Sequence, residues 1–183
     1  TLRLKGGDPS IFGRGGEEIE MLRASGVAVE VVPGITAATA AAASLQIPLT
    51  HRDLSRSVTF LSGHAAGDGA PEFDQVDLTA LANQGATLAV YMGLSTSGDL
   101  ARTLIDAGWS PAMPVIIASR ISQPGERRIA ITLDVLAAPS TKLDLTGPAL
   151  LIVGEVAGLD AAGIVERLAQ QVPQQDHIEV VHA

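Results

Sequence analysis

Residues 4–16, which read LKGGDPSIFGRGG, have the types and spacing to hold a small ligand. Glycine reaches backbone angles closed to other residues and proline fixes φ, so residues 6–9 (GGDP) indicate a tight turn. Two glutamates follow the last glycine and are typical of the first turn of a helix. A strand, a glycine-rich loop and a helix in this order commonly hold a ligand against bare backbone. A flexible surface connection is an equally good interpretation of GGD alone.

A second candidate ligand contact is the segment 32–36, which reads VPGIT. Proline stops a strand, glycine gives a turn, and Thr36 is expected to cap a helix formed by the alanine run 37–44. A helix that begins after a strand offers free N–H groups to a ligand carboxylate or hydroxyl. A tightly packed helix of small residues explains the same pattern and does not exclude a ligand.

Composition excludes several kinds of site. The chain has 183 residues, a net charge of −8 and only 12 lysines and arginines, which disfavours nucleic acid as a partner. It has no cysteine, so disulfides, thiolate zinc sites, iron–sulfur clusters and cysteine nucleophiles are absent. No metal site is predicted. No apolar run has membrane-spanning length and no signal peptide is evident, so we expect a cytoplasmic protein without a membrane partner.

Apolar residues make up 46% of the chain and aromatic residues 3%, which predicts a core of Ala, Val, Ile and Leu. Strands and helices alternate, which is typical of an α/β fold with buried sheets. Since residues 1–4 resemble the end of a strand, we expect further residues upstream. The predicted strands are residues 1–4, 27–32, 57–61, 87–92, 114–119, 127–133 and 148–153; the predicted helices are residues 16–25 (with Ile19, Met21 and Leu22 on its apolar side), 37–44, 77–84 (capped by Asp77), 95–107 and 161–171.

A domain boundary is predicted near residues 47–53 (IPLTHRD), which have neither helical nor strand periodicity. Residues 1–53 would then be the remainder of an N-terminal α/β domain with its linker. Residues 54–160 would form a C-terminal α/β domain, and residues 161–183 a helical and polar tail. His51 alone is more often a surface histidine than part of a site.

Six segments in order carry a resemblance: RLKGGDPSIFGRGGEE, VVPGITAA, IPLTHRD, SVTFLSGH, VYMGL and GPALLIVGEV. Together they resemble the tetrapyrrole methyltransferases, and most of all those that act on uroporphyrinogen III. The similarity runs from residue 3 to about residue 156. It implies a tetrapyrrole methylase-like α/β fold of two α/β/α domains, of which the first is incomplete in this chain, with the cofactor in the trough between them.

The resemblance implies S-adenosylmethionine as methyl donor and S-adenosylhomocysteine as product. Glycines would let the methionine part lie against backbone, and Asp8 would accept from its amino group. Met92 would pack on the adenosine, although a methionine after a buried strand is more often ordinary core. Ile121 stands where a smaller residue is usual. The implied contacts are Gly6, Gly7, Asp8, Ile11, Thr36, Ala37, Met92 and Ile121.

A tetrapyrrole polycarboxylate needs cationic partners despite the acidic total. Arginines in or beside predicted loops are the candidates, although each alone is more often a solvated surface charge. They are Arg14, Arg52, Arg56, Arg120, Arg127 and Arg128.

The implied activity is methylation of uroporphyrinogen III on rings A and B, which gives precorrin-2 for sirohaem and cobalamin, in a homodimer. The aspartate and lysine assigned to proton transfer in this family would lie upstream of Thr1, so no catalytic residue is named and we expect an incomplete enzyme. A methylase of a later corrin precursor and a non-catalytic, dimer-forming α/β module are the alternatives. A nucleotide phosphate site is disfavoured, because no GK[ST] follows the glycines.

Overall fold

A mixed β-sheet forms the centre of the molecule. A computed structural model describes residues 1–64, 73 and 76–159, and the backbone of residues 166–167. The strand order within these residues is β1-β2-β5-β3-β4-β6, with β1 parallel to β2, β4 parallel to β6 and the other pairs antiparallel. The strands are β1 (Val58–Ser62), β2 (Thr87–Tyr91), β3 (Pro114–Ser119), β4 (Arg127–Thr132), β5 (Ala149–Val153) and β6 (Glu166–Arg167).

Helices cover both faces of this sheet. One face packs against α4 and α5, and the opposite face packs against α2. The α-helices of the described residues are α1 (Gly15–Ala24), α2 (Ala37–Leu45), α3 (Leu78–Asn83), α4 (Ser97–Asp106) and α5 (Leu133–Ala137), and a 3₁₀ turn spans Glu155–Gly158.

The alternation of β2 decides which of its side chains faces which helix. Leu88 and Val90 lie in the cluster beneath α4 and α5, whereas Ala89 and Tyr91 lie in the cluster beneath α2. Successive residues of a strand point to opposite faces, so an apolar strand that is buried on both faces serves two cores. This register brings the Tyr91 ring to the α2 side of the sheet.

The sequence-based prediction of an α/β fold is confirmed. The predicted strands at 57–61, 87–92, 114–119, 127–133 and 148–153 form β1 to β5, and the half-buried fourth strand pairs antiparallel with β3, as its alternation indicated. Asp77 caps α3 by accepting from the N–H of Ala80 at 2.8 Å, as predicted. The five-residue α5 was not predicted, because its sequence (LDVLA) is too short to show a period.

The predicted strands at 1–4 and 27–32 are wrong, because both segments lack regular secondary structure. A strand needs the hydrogen bonds of a neighbour, and neither segment has a paired one in the described chain. The predicted apolar side of α1 is also wrong at Met21 and Leu22, which are 70% and 41% exposed. These parts of the first predicted domain therefore present apolar side chains to solvent.

The remaining sequence-based predictions fall on the C-terminal tail. The predicted helix at 161–171 lies outside the described residues except at Glu166–Arg167, where it is wrong because the backbone forms β6 along the edge of β4.

The division into domains stays a prediction. No described helix has the length and hydrophobicity needed to cross a membrane.

Candidate functional site

Asp8 fastens the glycine loop to the turn before α2. One carboxylate oxygen accepts from the N–H of Ser10 at 2.8 Å and from the Ser10 hydroxyl. The other accepts from the N–H of Gly34 at 2.9 Å. The hydrogen bond from the Ser10 hydroxyl, followed by those from the two N–H groups, lowers the pKa of Asp8 below its ordinary 3.8. Both carboxylate oxygens thus bind the chain itself, and the role toward a cofactor amino group stays a prediction.

Bare backbone is required where the loop meets this turn. A Cβ on Gly34 would lie 2.4 Å from the carbonyl oxygen of Gly7, which is far inside contact distance. A Cβ on Gly7 would lie 3.5 Å from the carbonyl oxygen of Ile35, an ordinary contact. A Cβ on Gly6 would meet nothing within 4 Å, so this glycine borders open space. The two segments touch through Gly7 and Gly34, and Gly6 leaves room for a ligand.

Lys5 closes the glycine loop from its other end. Its ammonium donates to the carbonyl oxygen of Gly13 at 2.6 Å and pairs with Glu18 of α1 at 2.7 Å. The Lys5 side chain is largely buried, so the pair is better shielded from water than an exposed one. The loop and the first turn of α1 are therefore fixed to each other.

Tyr91, which sequence reasoning missed, joins α2 to the end of β2. Its hydroxyl shares a hydrogen bond with the hydroxyl of Thr36 at 2.7 Å and accepts from the N–H of Ala38 at 3.2 Å. The prediction that Thr36 caps α2 is wrong at the level of its side chain, which makes no capping bond. The Thr36 hydroxyl is buried and already engaged by Tyr91, so it stiffens the site.

Three aromatic rings gather at the same point. The ring centroid of Tyr91 lies 4.9 Å from that of Phe12 in the glycine loop and 5.7 Å from that of Phe60 in β1. Both contacts are tilted or edge-on, the geometries that aromatic pairs favour. Tyr91 is the only tyrosine in the chain, but its partners are remote in sequence and leave no local pattern. The one signal in the sequence was its position directly before Met92.

Met92 follows β2 in a strained conformation beside a cavity. Its φ is 56° and its side chain is 49% exposed, so it is not an ordinary core methionine. It lines an open cavity of about 730 Å³ between α4 and residues 136–149. A non-glycine residue with positive φ costs free energy, and such strain is concentrated at functional sites. Packing of Met92 on an adenosine stays a prediction.

Ile121 lies in a turn between two residues with positive φ. Arg120 and Ser122, on either side of it, have φ of 54° and 61°. The N–H of Arg120 donates to the carbonyl oxygen of Pro148 at 2.9 Å, which attaches this turn to the start of β5. Of the six non-glycine residues with positive φ in the described chain, five lie in the glycine loop, after β2 or in this turn: Phe12, Arg14, Met92, Arg120 and Ser122.

Several of the predicted cofactor residues lie in segments that contact one another on the α2 side of the sheet, and their role toward a cofactor stays a prediction. The backbone of Gly7 runs close to that of Ile35 and Thr36, since a Cβ on Gly7 would lie 3.9 Å from Cα of Thr36, and Asp8 holds the turn that begins α2. Met92 follows Tyr91, whose cluster beneath α2 also takes the partly buried side chains of Ile11, Ala37 and Ile121.

The predicted substrate arginines are spread more widely. Arg14 pairs with Glu17 at 2.6 Å and Arg128 with Glu126 at 2.8 Å, and Arg127 donates to the carbonyl oxygen of Asp144 at 2.6 Å. The Arg120 side chain lies over Gly147 and Gly125. Arg52 and Arg56 are exposed and line a second open cavity of about 490 Å³, together with Thr50, His51 and Ser55.

Residues 1–137 match the family of Tetrapyrrole (Corrin/Porphyrin) Methylases. This chain belongs to that family. The resemblance found in the sequence motifs is therefore confirmed.

Relatives with assigned names give the comparison more detail. This methylase is 45% identical over 159 residues to a uroporphyrinogen-III C-methyltransferase of Paracoccus denitrificans, with 87% of this chain and 54% of that protein covered. It is 49% identical over 159 residues to a siroheme synthase of a Psychrobacter species, with 87% and 32% covered. This methylase spans about a third to a half of the length of these curated relatives.

A solved structure shares the fold. It is the uroporphyrin-III C-methyl transferase of Thermus thermophilus complexed with S-adenyl homocysteine, with a TM-score of 0.73 and 40% identity. The match covers 87% of this methylase and 67% of that chain. The tetrapyrrole methylase-like fold predicted from the sequence is confirmed over the matched part of that chain.

The link made by Asp8 predicts a pH dependence of stability. Folding lowers the pKa of Asp8, so the ionised carboxylate stabilises the folded state. This stabilisation is complete above the ordinary pKa of 3.8 and is lost as the pH falls through the lower pKa of the folded state. We expect wild type and Asp8→Asn to differ by a constant free energy of unfolding above pH 5, and by less as the pH falls below about 4. Denaturant unfolding from pH 2 to 6 measures this, and parallel curves throughout would contradict it.

Proposed function

We propose that this tetrapyrrole methylase transfers methyl groups from S-adenosylmethionine to carbon atoms of uroporphyrinogen III. The transfer takes place twice, on rings A and B, and gives precorrin-2 for sirohaem and cobalamin synthesis. The observation that supports the proposal best is that Asp8 joins the glycine loop to the turn before α2, while Ile11, Ala37 and Ile121 pack against one cluster on the α2 side of the sheet. The names of the relatives support the substrate.

The residues present fit such a cofactor. Gly6 borders open space, so a ligand can approach the loop backbone closely. The Asp8 carboxylate gives negative charge next to this space, which suits a cation. Met92 lines an open cavity of about 730 Å³ with its polarizable thioether, and this cavity is bounded by α4 and residues 136–149 rather than by the glycine loop. When bound, S-adenosylmethionine supplies an electrophilic methyl group on a sulfonium.

The chain's own contribution is binding and alignment. Asp8, Gly34 and the Tyr91 hydroxyl hold the loop, the turn before α2 and the end of β2 in a fixed arrangement. Fixed walls of this kind align two reactants, which is a large part of what a methyl transfer requires. The ring carbon that gains the methyl group must also lose a proton, and we assign no described residue as the base.

Arg52 and Arg56 are the best placed of the candidate arginines for substrate carboxylates. Both line the same exposed cavity, whereas Arg14 and Arg128 already pair with glutamates of the chain. An arginine without such a pair has N–H groups for an incoming carboxylate, and Arg56 keeps its two terminal nitrogens for this role while its Nε donates to the carbonyl oxygen of Arg52 at 3.2 Å. In this proposal the two arginines anchor the tetrapyrrole through its propionate or acetate groups.

We also propose that this chain is part of a larger enzyme that acts as a cytoplasmic homodimer. The exposed apolar side chains support the first part: Leu2, Leu4 and Val32 are 81%, 75% and 72% exposed, as expected where another part of a larger protein covers these segments. The dimer rests on the family resemblance alone. Buried and partly exposed side chains alternate along β4, which is compatible with an interface on its exposed face. The backbone of β4 is paired with β6 at Ile129 and Ala130.

Incubation of the full-length protein with uroporphyrinogen III and methyl-labelled S-adenosylmethionine tests the activity. We expect two labels per tetrapyrrole. The double variant Arg52→Gln, Arg56→Gln should raise the KM for the tetrapyrrole by about tenfold or more at unchanged cofactor affinity, because charge-assisted bonds to carboxylates are lost. Arg23→Gln, on the exposed surface of α1, is the matched control and should change neither value.

Unlabelled uroporphyrinogen III would contradict the proposal. Label in a later corrin precursor instead would indicate a different methylase of the same family. Unchanged KM in the double variant would remove these arginines from the substrate site and leave the activity standing.

A further inference from the structure

Glu126 lies between two segments that border the proposed cofactor site. One of its carboxylate oxygens accepts from the hydroxyl of Ser44 in α2 and from Nε of Arg128 at 2.8 Å. The other accepts from the N–H of Ser122 at 2.7 Å, in the turn that holds Ile121. The side chain is only 16% exposed. A single carboxylate therefore ties α2, β4 and the Ile121 turn together.

The turn needs this support because its backbone is strained. Arg120 and Ser122 both have positive φ, and each such residue persists only where its surroundings hold it in place. The N–H of Gln123 donates to the carbonyl oxygen of Arg120 at 2.9 Å, which closes the turn internally. Glu126 also accepts from the hydroxyl of Ser44 and so links the turn to α2. The first residues of α2 form another wall of the proposed site.

The charge on Glu126 suits this role. Burial, the largest single influence, raises its pKa, but hydrogen bonds from Ser44, the Ser122 N–H and Arg128 together outweigh burial and leave the pKa below its ordinary 4.5. The group is ionised at neutral pH and accepts from all its donors at once. Hydrogen bonds to an ionised acceptor are the stronger kind.

We propose that Glu126 is a positioning residue that fixes the Ile121 turn against α2 and thereby sets the spacing between two walls of the cofactor site. The proposal rests on the proposed function for its ligand. It assigns to Glu126, Ser44 and Arg128 a part in cofactor affinity that they exert through the position of the Ile121 turn. It also makes Arg128 a partner of Glu126 rather than of the tetrapyrrole.

The test is calorimetric titration of full-length wild type and variants with S-adenosylhomocysteine, well below their melting temperatures. Glu126→Ala should weaken binding about tenfold, since it frees a strained turn at one wall. Glu126→Gln keeps one acceptor oxygen and should recover part of the loss. Glu155→Ala, an exposed glutamate just after the far end of β5, is the matched control and should bind as wild type does.

A double-mutant cycle separates positioning from a general loss of stability. Ser44→Ala should weaken binding less than Glu126→Ala does, and should cost little more in the Glu126→Ala background. Amide hydrogen exchange should quicken at residues 120–123 in Glu126→Ala while the strands keep wild-type protection.

Wild-type affinity in both Glu126 variants and in Ser44→Ala would overturn the positioning role and leave the proposed function standing. A wild type that binds no S-adenosylhomocysteine would overturn both. If Glu126→Ala does not fold, Glu126→Gln and Ser44→Ala decide the outcome by the same affinity criterion.

Discussion

Replacing Gly34 by alanine should remove most of the affinity for S-adenosylhomocysteine. The new Cβ would lie 2.4 Å from the carbonyl oxygen of Gly7 and 3.2 Å from Cα of Asp8, so it meets backbone that cannot rotate away. The loop must move off the turn, which breaks the bond from the Gly34 N–H to Asp8. Overpacking of this kind costs about 1–3 kcal/mol, which corresponds to roughly five- to 150-fold in affinity.

Gly16→Ala is the matched control for this substitution. A Cβ at Gly16, in the first turn of α1, meets nothing within 4 Å. Alanine favours a helix over glycine, so this variant should keep wild-type affinity and gain up to about 1 kcal/mol in stability. Calorimetric titration of both variants measures the difference. Equal affinities for Gly34→Ala and Gly16→Ala would show that the loop and turn do not form one binding surface.

Removing the hydroxyl of Tyr91 should destabilise the junction between α2 and the sheet. Tyr91→Phe keeps both ring contacts but leaves the buried Thr36 hydroxyl and the Ala38 N–H without their partner. An unsatisfied buried polar group costs about 1–3 kcal/mol, so we expect a loss of that size in the free energy of unfolding. Cofactor affinity should also fall, because Thr36 and Met92 are positioned through Tyr91.

A double-mutant cycle with Thr36→Val isolates this hydroxyl pair. In the Thr36→Val background only the Ala38 N–H loses a partner, so Tyr91→Phe should cost less there than in wild type, by about 0.5–1.5 kcal/mol. Denaturant unfolding of the four proteins measures the coupling. Strictly additive losses would mean that the two hydroxyls do not interact in solution.

The central sheet could be predicted from sequence because its strands are locally distinctive. Short β-branched and leucine-rich runs such as those of β3 and β5 are buried on both faces, and the alternation of β4 identified a half-exposed strand. The segments 1–4 and 27–32 are also rich in leucine or valine, but a strand exists only where a neighbour supplies hydrogen bonds. Sequence windows contain no information about that neighbour.

The candidate site shows the same limit at the level of side chains. The glycine loop was predicted from its local motif, whereas the contact roles of Asp8, Thr36 and Met92 were implied by the resemblance and stay predictions. The partner of Thr36 could not be predicted, because Tyr91 is 55 residues away in the sequence. Asp8 was expected to face a ligand, yet its oxygens bind Ser10 and Gly34. Local patterns identify which segments form the site, and long-range contacts decide what each side chain does there.

Calorimetric titration of the full-length wild-type protein with S-adenosylhomocysteine is the most direct test of the claim that these segments form a methyl-donor site. The arrangement of Gly6, Asp8, Thr36 and Met92 predicts saturable binding of one molecule per chain, weakened in Gly34→Ala and unchanged in Gly16→Ala. A folded full-length protein with no detectable binding would contradict the claim.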